Sequence, residues 1–319
     1  MSRKLSHHQF LAKGGAYTDI KALIQFRHAA KEIDSVTISR SSNPMAGLLS
    51  SNFRGRGIDF AEVRIYEPGD DVRSIDWKVT ARTQIPYTKL FQEEKERPVL
   101  ILVDQSQSMF FGSRKAFKSV VAAQLASLIA WISLDNGDRV GGIVFSDIHH
   151  REVRPRRNKH AVLRLLHEIA DFNNRLIKSD HPQNENYLAD AIINARRVSK
   201  HGSTIFIISD FKHLNADALL HLRQLSRHND IIGLHVSDNM EKELPIPDLY
   251  TITNGEQRVQ IDTANTKERK NYQNAFINKL AQVQTEFSKL KSPLFELSTE
   301  DELVQSLASA YYNYSMVKR

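Results

Sequence analysis

From residue 98 onward, short apolar runs alternate with segments whose apolar residues recur every three or four positions. Apolar runs bounded by polar or turn residues are typical of strands buried on both faces of a sheet. The predicted strands are VLILV, VGGIVF, TIFIIS, IIGLHV and PLFEL, with REVRP as a short edge strand. The helical pattern falls on residues 113–134, 159–172, 187–199, 216–228, 266–290 and 300–312. This alternation predicts an α/β fold with a doubly wound, mainly parallel sheet.

Two of these segments carry more specific signals. Residues 119–134 form the most apolar long stretch, but they include Gln124 and are shorter than the roughly 20 residues of a membrane-spanning helix. We therefore expect a buried core helix and no membrane span. The sequence YTITNGEQRVQID contains Asn254 and Gly255, a pair typical of a β-hairpin turn.

The chain before residue 98 has a different character. Residues 19–34 place apolar side chains at helical spacing, and Asp19 can cap the start of that helix. A stretch rich in serine, arginine and glycine follows, and residues 57–97 then show short β-like alternation. We expect three parts: residues 1–56 as an N-terminal helix and flexible arm, 57–97 as a small β-rich segment packing on the main domain, and 98–319 as the main domain.

Composition narrows the class of protein. The 319 residues are 41% hydrophobic and 25% charged, as in ordinary soluble proteins. The absence of cysteine excludes disulfides and thiolate metal sites and favours a reducing compartment. Since the first ten residues lack the apolar core of a secretory signal, we expect a cytoplasmic protein. A net charge of +7 permits an anionic partner but is modest for a nucleic-acid binder, so nucleic acid is not the expected partner.

The strand VLILV runs directly into the sequence DQSQS, which carries the main candidate chemistry. Alternate residues of an extended chain point the same way, so Asp104, Ser106 and Ser108 can present three oxygens to one centre. The carboxyl edge of such a sheet is where ligands bind. One carboxylate and two hydroxyls suit Mg²⁺, and Asp210 after the strand TIFIIS could hold a metal-bound water. Capping of the next helix is the alternative interpretation of these residues.

These residues resemble a known family. DQSQS resembles the Asp-x-Ser-x-Ser motif of von Willebrand factor A-type domains, whose metal-ion-dependent adhesion site binds Mg²⁺ or Mn²⁺. The upstream sequence GIDFAEVRIYEPGDDVRSIDWKVTAR, followed by KLFQEE, resembles the bacterial family fifty-eight of domains of unknown function. Members of that family are typically encoded beside MoxR-type AAA+ ATPases. The resemblance extends from about residue 57 to the C-terminus and implies a von Willebrand factor A-like fold for the main domain.

The resemblance also implies a set of metal-site residues. Asp104, Ser106 and Ser108 match the first metal loop of the adhesion site, and Asp210 matches the third. The second loop normally supplies a threonine in a Thr-x-Leu pattern, and ENYLADAI places Asn186 at that position. An amide oxygen can coordinate an ion or bind its water, but with a different geometry from a threonine hydroxyl.

The expected function is a non-enzymatic, metal-dependent protein-interaction module. The resemblance implies an adaptor or substrate recogniser for a MoxR-type AAA+ ATPase, acting in complex assembly or chaperone-like activation. An acidic residue of the partner would complete the coordination of the ion. A second group in the β-rich segment is either a structural network or a partner surface. Its partner-binding candidates are Arg73, Asp76, Trp77 and Arg82.

Two alternatives stay open. A Mg²⁺-dependent phosphohydrolase would use Asp104 as nucleophile, but such enzymes need a second carboxylate two residues on, where this chain has Ser106. An anionic-surface binder, for lipid or nucleic acid, would use the basic residues between Arg151 and Lys159. Such a patch would also permit peripheral membrane contact. Charge on an edge strand also serves to prevent strand association, which is the structural interpretation of the same patch.

Overall fold

The structure is a computed structural model that describes residues 15–38, 59–67, 72, 75–92, 98–176, 184–253, 258–307 and 309. The chain divides into two compact units: a larger unit of Met1–Ser50 with Pro98–Arg319, and a smaller unit of Ser51–Arg97. The strands are β1 (Asp59–Ile65), β2 (Tyr87–Gln92), β3 (Pro98–Asp104), β4 (Arg139–Phe145), β5 (His150–Arg156), β6 (Thr204–Ser209), β7 (Asp230–Ser237), β8 (Leu249–Thr253), β9 (Arg258–Asp262) and β10 (Leu294–Ser298). The helices are α1 (Ile20–Ile38), α2 (Trp77–Thr83), α3 (Lys118–Asp135), α4 (Lys159–Arg175), α5 (Tyr187–Val198), α6 (Ala216–Ser226), α7 (Asn239–Lys242) and α8 (Thr266–Lys289).

A six-stranded sheet with the order β10-β7-β6-β3-β4-β5 forms the centre of the larger unit. Neighbouring strands are parallel except β5, which pairs antiparallel with β4 at one edge. The residues of β6 are buried throughout, as are those of β3 after Pro98. Two buried hydrophobic clusters lie in this unit, one including α3 and α4 and the other including α5 and α6. The predicted α/β fold with a mainly parallel sheet is confirmed.

Helix α3 is a core helix. It is long and apolar enough to cross a membrane, but 16 of its 18 residues are buried inside the protein. A helix that is apolar all round belongs in the centre of a large core, which is the predicted interpretation of residues 119–134. The helix begins at Lys118 and not at the predicted Ser113: after a 3₁₀ turn, Gln107–Met109, residues 110–117 form bends and irregular structure.

Helix α1 belongs to the larger unit, although residues 1–56 were expected to form a separate part. Its side chains Leu23, Phe26 and Ala30 are buried in the same cluster as α3. The Ser127 hydroxyl also donates a hydrogen bond of 2.6 Å to the Leu23 carbonyl. The helix is therefore part of the core. The predicted flexible arm, residues 39–56, lies outside the described residues.

Two hairpins complete the described chain. In the smaller unit β1 pairs antiparallel with β2, and the short helix α2 lies between them in sequence. In the larger unit β8 pairs antiparallel with β9. That pairing confirms the predicted hairpin, whose turn residues Asn254 and Gly255 lie outside the described part. Of the predicted final helix, residues 303–307 are helical and the region after 309 is not described.

Candidate functional site

The carboxyl ends of three neighbouring parallel strands each carry an aspartate. Asp104 ends β3, Asp210 follows β6 and Asp238 follows β7. Strand order reverses at β3, because β4 and β5 lie on one side of it and β6, β7 and β10 on the other. In open α/β sheets this reversal point is where ligands bind. The predicted site therefore lies where this topology favours binding.

The structure brings Asp104, Ser106 and Ser108 together. Asp104 is fully buried, and its two carboxylate oxygens accept hydrogen bonds from the Ser106 amide at 2.9 Å and the Ser209 hydroxyl at 2.5 Å. The hydroxyls of Ser106 and Ser108 lie 3.1 Å apart. Ser106 is buried, whereas Ser108 is half-buried. Ser108 is therefore the most accessible oxygen of the three residues.

Hydrogen bonds from neighbouring elements fix the loop that carries these residues. The Gln105 side chain donates to the Ser119 carbonyl at 2.8 Å and accepts from the Asn173 amide at 3.0 Å. On the exposed side, the Gln107 amide donates to the Asp147 carboxylate at 2.6 Å. These contacts tie the loop to α3, to α4 and to the β4–β5 connection. The serine hydroxyls are thus held in place by the surrounding fold.

Asp210 forms a buried ion pair with Lys118. The Lys118 ammonium lies 2.8 Å from the Asp210 carboxylate and 2.6 Å from the Glu241 carboxylate. The Lys118 side chain is 0% exposed and that of Asp210 is 8% exposed. Burial alone would lower the pKa of Lys118, but the charges of Asp210 and Glu241 raise it above its ordinary value. Lys118 is therefore a charged lysine in the interior of the protein.

Asp104 differs from Asp210 in having no cation beside it. Throughout the described ranges, no basic side chain forms an ion pair with Asp104. Burial raises the pKa of Asp104 to about 7, and the charge of Asp210 contributes to the rise. Burial would also raise the pKa of Asp210, but the Lys118 ammonium lowers it to about 2. The pKa values of the two aspartates thus differ because, among the described residues, only Asp210 has a counter-ion.

The structure places Asn186 at the protein surface. Its side chain is exposed, and its oxygen accepts a hydrogen bond of 2.8 Å from the Asn215 amide. The next residue, Tyr187, is buried, and its hydroxyl accepts a hydrogen bond of 3.1 Å from Ser106. Tyr187, and not Asn186, therefore contacts the serine loop in this structure.

Three site residues were not predicted from the sequence: Lys118, Tyr187 and Glu241. Glu241 is fixed by α7, where it forms a capping box with Asp238. Lys118 could have been suspected, because a lysine in the first turn of an apolar helix is unfavourable for the helix dipole and needs a compensating partner. No three histidine, aspartate or glutamate side chains in the described chain are grouped to hold a metal ion. An ion at this site would therefore rely on the serine hydroxyls.

The second predicted group lies in the smaller unit. Asp76 caps α2 by accepting hydrogen bonds from the amides of Lys78 and Val79. Trp77 is 67% exposed and Arg82 is also exposed, while Arg73 lies outside the described residues. Asp76 thus has a structural role. A partner-binding role for this group stays a prediction.

Comparison with known proteins places the chain in a family. The chain belongs to the family described as "Protein of unknown function DUF58", which matches residues 62–282. The uncharacterized proteins Rv1480 of Mycobacterium tuberculosis and Mb1516 of Mycobacterium bovis are each 30% identical to it over 193 residues. These matches cover 60% of this chain and 58% of each relative. The chain thus spans little more than half the length of these curated relatives.

Two solved structures show limited similarity to this chain. BatB from Bacteroides thetaiotaomicron is 17% identical, with 70% of this chain and 100% of that chain covered and a TM-score of 0.42. An aerotolerance-related membrane protein from Bacteroides fragilis is 14% identical, with 68% and 99% covered and a TM-score of 0.39. Scores this low carry no conclusion about function.

Proposed function

We propose that this protein is a non-enzymatic, metal-dependent protein-interaction module that binds Mg²⁺ or Mn²⁺ through Asp104, Ser106 and Ser108. The observation that carries the proposal is the fully buried Asp104 carboxyl, which lacks an ion-pair partner in the described chain and accepts hydrogen bonds from the Ser106 amide and the Ser209 hydroxyl. The hydroxyls of Ser106 and Ser108 lie 3.1 Å apart in the loop that follows Asp104. Buried charges are normally paired or bound to a metal. A divalent cation would supply the missing positive charge.

The donor set fits a hard cation. Mg²⁺ prefers oxygen ligands and usually keeps several waters, so one carboxylate and two hydroxyls are sufficient protein ligands. Asp210 is committed to hydrogen bonds from Lys118 and from the Lys212 amide, and it would act through a bound water. The half-buried Ser108 marks the accessible side, where the carboxylate of a partner would complete the coordination. The ion would supply Lewis-acid attraction for that carboxylate.

The more detailed assignment belongs to the same proposal. The main domain would be a von Willebrand factor A-like domain and would serve as adaptor or substrate recogniser for a MoxR-type AAA+ ATPase. What supports this assignment is the order of two motifs, the segment preceding residue 98 and the Asp-x-Ser-x-Ser loop. Membership of the DUF58 family agrees with the first of these motifs.

The site geometry favours binding over phosphohydrolase chemistry. A phosphohydrolase with Asp104 as nucleophile needs a general acid two residues on, and Ser106 is a buried hydroxyl at that position. The Tyr187 hydroxyl accepts a hydrogen bond from Ser106, and burial raises the pKa of this phenol. The phenol therefore stays protonated and is a poor general acid, and its phenolate is not available as a base. These side chains can hold an ion, but they provide no acid–base pair for turnover.

The proposal predicts a partner interaction that depends on Asp104. Purified protein and a purified MoxR-type ATPase from the same organism are mixed in Mg²⁺ buffer, and complex formation is measured by biolayer interferometry. We expect Asp104→Ala to abolish the complex, because the ion that the partner carboxylate binds is lost. The comparison is made at constant Mg²⁺, since chelation would also disturb the ATPase.

Asp171→Ala is the matched control. Asp171 lies on α4 and pairs with Arg175 of the same helix, so this variant removes the same charge from an exposed position. It should bind like the wild type. Equal binding by Asp104→Ala and the wild type would contradict the proposal, as would phosphatase turnover that needs Asp104.

A further inference from the structure

A completely buried lysine lies between the candidate metal site and the neighbouring strand end. Lys118 is the first residue of α3, and its ammonium bridges Asp210 after β6 and Glu241 in α7. Glu241 in turn accepts a hydrogen bond of 3.0 Å from the Asp238 amide. The ammonium is thus fixed on two sides by carboxylates, and one of them is itself held by a helix cap.

The Lys118 ammonium compensates some of the carboxylates near the site and not others. Asp210 and Glu241 share the ammonium, whereas Asp104, within the described part of the chain, accepts hydrogen bonds only from uncharged donors. The Asp210 carboxylate would otherwise be a strong second anionic group beside a divalent ion. With Lys118 in place, the negative charge of Asp210 is already compensated, so Asp210 would attract a divalent ion less strongly.

We propose that Lys118 sets the metal affinity of the site: by holding Asp210 in a buried ion pair, it leaves Asp104 as the single uncompensated carboxylate and makes the ion weakly held and exchangeable. This inference rests on the proposed function, because it assumes an ion at Asp104, Ser106 and Ser108. Lys118 is a positioning residue, since it would act through Asp210 without touching the ion. A site of this kind responds to the concentration of free divalent ion.

The test is the replacement of Lys118 by methionine, which has a similar length and no charge. We expect Lys118→Met to bind Mg²⁺ at least about tenfold more tightly than the wild type in isothermal titration calorimetry. In chelator the variant should melt at a lower temperature, because Asp210 and Glu241 lose their counter-ion. Added Mg²⁺ should raise its melting temperature more than that of the wild type. A purely structural role for Lys118 predicts unchanged or weaker Mg²⁺ binding.

Lys115→Met is the matched control. Lys115 lies three residues before the start of α3, is exposed, and donates a hydrogen bond to the Glu300 carbonyl. The substitution changes the net charge by the same amount, so its Mg²⁺ dissociation constant should stay within about twofold of the wild-type value. Should Lys118→Met not fold, the double variant Lys118→Met/Glu241→Gln is compared with Glu241→Gln alone, and the double variant should bind Mg²⁺ more tightly.

The outcomes separate this inference from the proposed function. Wild-type binding that is lost in Asp104→Ala, together with no tightening in either Lys118 variant, overturns the inference and leaves the proposed function standing. No Mg²⁺ binding by the wild type or by any Lys118 variant overturns both. Tightening that persists when Asp104→Ala is added would place the ion elsewhere and would also overturn both.

Discussion

Replacing Asp210 by asparagine is expected to lower the free energy of unfolding by about 3 kcal/mol in metal-free buffer. The substitution keeps the size of the side chain but removes the charge that lies 2.8 Å from the buried Lys118 ammonium. Breaking a buried ion pair from one side leaves a charge that neither water nor a partner fully compensates. Glu241 continues to contact the ammonium, which limits the loss. Urea denaturation followed by circular dichroism measures the effect.

Asp171→Asn provides the comparison for this result. Its ion pair with Arg175 spans one turn of α4 and is solvent-exposed on both sides. Exposed pairs of this kind contribute little, so the variant should lose no more than about 0.5 kcal/mol. If Asp210→Asn were as stable as Asp171→Asn, Lys118 would not depend on Asp210 in the way that the structure indicates.

Replacing Asp104 by asparagine is expected to have the opposite effect. The variant should be more stable than the wild type by about 2–4 kcal/mol in chelator at pH 8. Ionised Asp104 is buried without a counter-ion, and its pKa is raised from 3.8 to about 7. An asparagine at this position can still accept the hydrogen bond of the Ser106 amide and does not carry the buried charge. Added Mg²⁺ should stabilise the wild type and leave the variant unchanged.

The advantage of Asp104→Asn should depend on pH. Folded protein keeps the proton on Asp104 up to about pH 7, whereas the unfolded chain releases it near 3.8, so the native state binds more protons in this interval. The wild type therefore loses stability from this group as pH rises from about 4 to about 7. The difference between variant and wild type should grow over the same range and level off above it. A difference that is constant with pH would contradict the assignment.

The stability of the wild type must be compared with that of Asp104→Asn at each pH, because another buried group changes the free energy of unfolding with pH in the opposite direction. Burial lowers the pKa of His235 to about 4, so this group contributes stability that increases as pH rises towards its ordinary value. The wild-type curve alone combines both effects. Subtracting the free energy of unfolding of the wild type from that of Asp104→Asn at each pH removes the contribution of His235, which both proteins share. The difference is the contribution of Asp104.

Much of the fold could be predicted from the sequence because the strands are buried on both faces. The run VLILV is entirely apolar and TIFIIS has polar residues only at its two ends, and β3 and β6 begin and end within one residue of the prediction. The candidate metal ligands after β3 could be predicted from the same pattern, because parallel strands place their carboxyl ends at the same edge of the sheet. Asp104, Ser106 and Ser108 could therefore be found without a structure.

The remaining features depend on contacts between residues far apart in sequence. Lys118 lies 92 positions before Asp210 and 123 before Glu241, so no local pattern shows that its charge is compensated in the interior. At the start of α5, the direction of the chain decides which of two consecutive residues contacts Ser106: Tyr187 does so, whereas the aligned motif placed Asn186 in the second metal loop. The core position of α1 is likewise set by its packing with α3.

Titration of Mg²⁺ into metal-free protein by isothermal calorimetry tests the central claim most directly, with Asp104→Ala measured beside the wild type. The proposed function predicts saturable binding of one ion per chain in the wild type and no binding in Asp104→Ala. Asp171→Ala should bind like the wild type. The claim would be contradicted if the wild type bound no ion, or if Asp104→Ala bound Mg²⁺ as the wild type does.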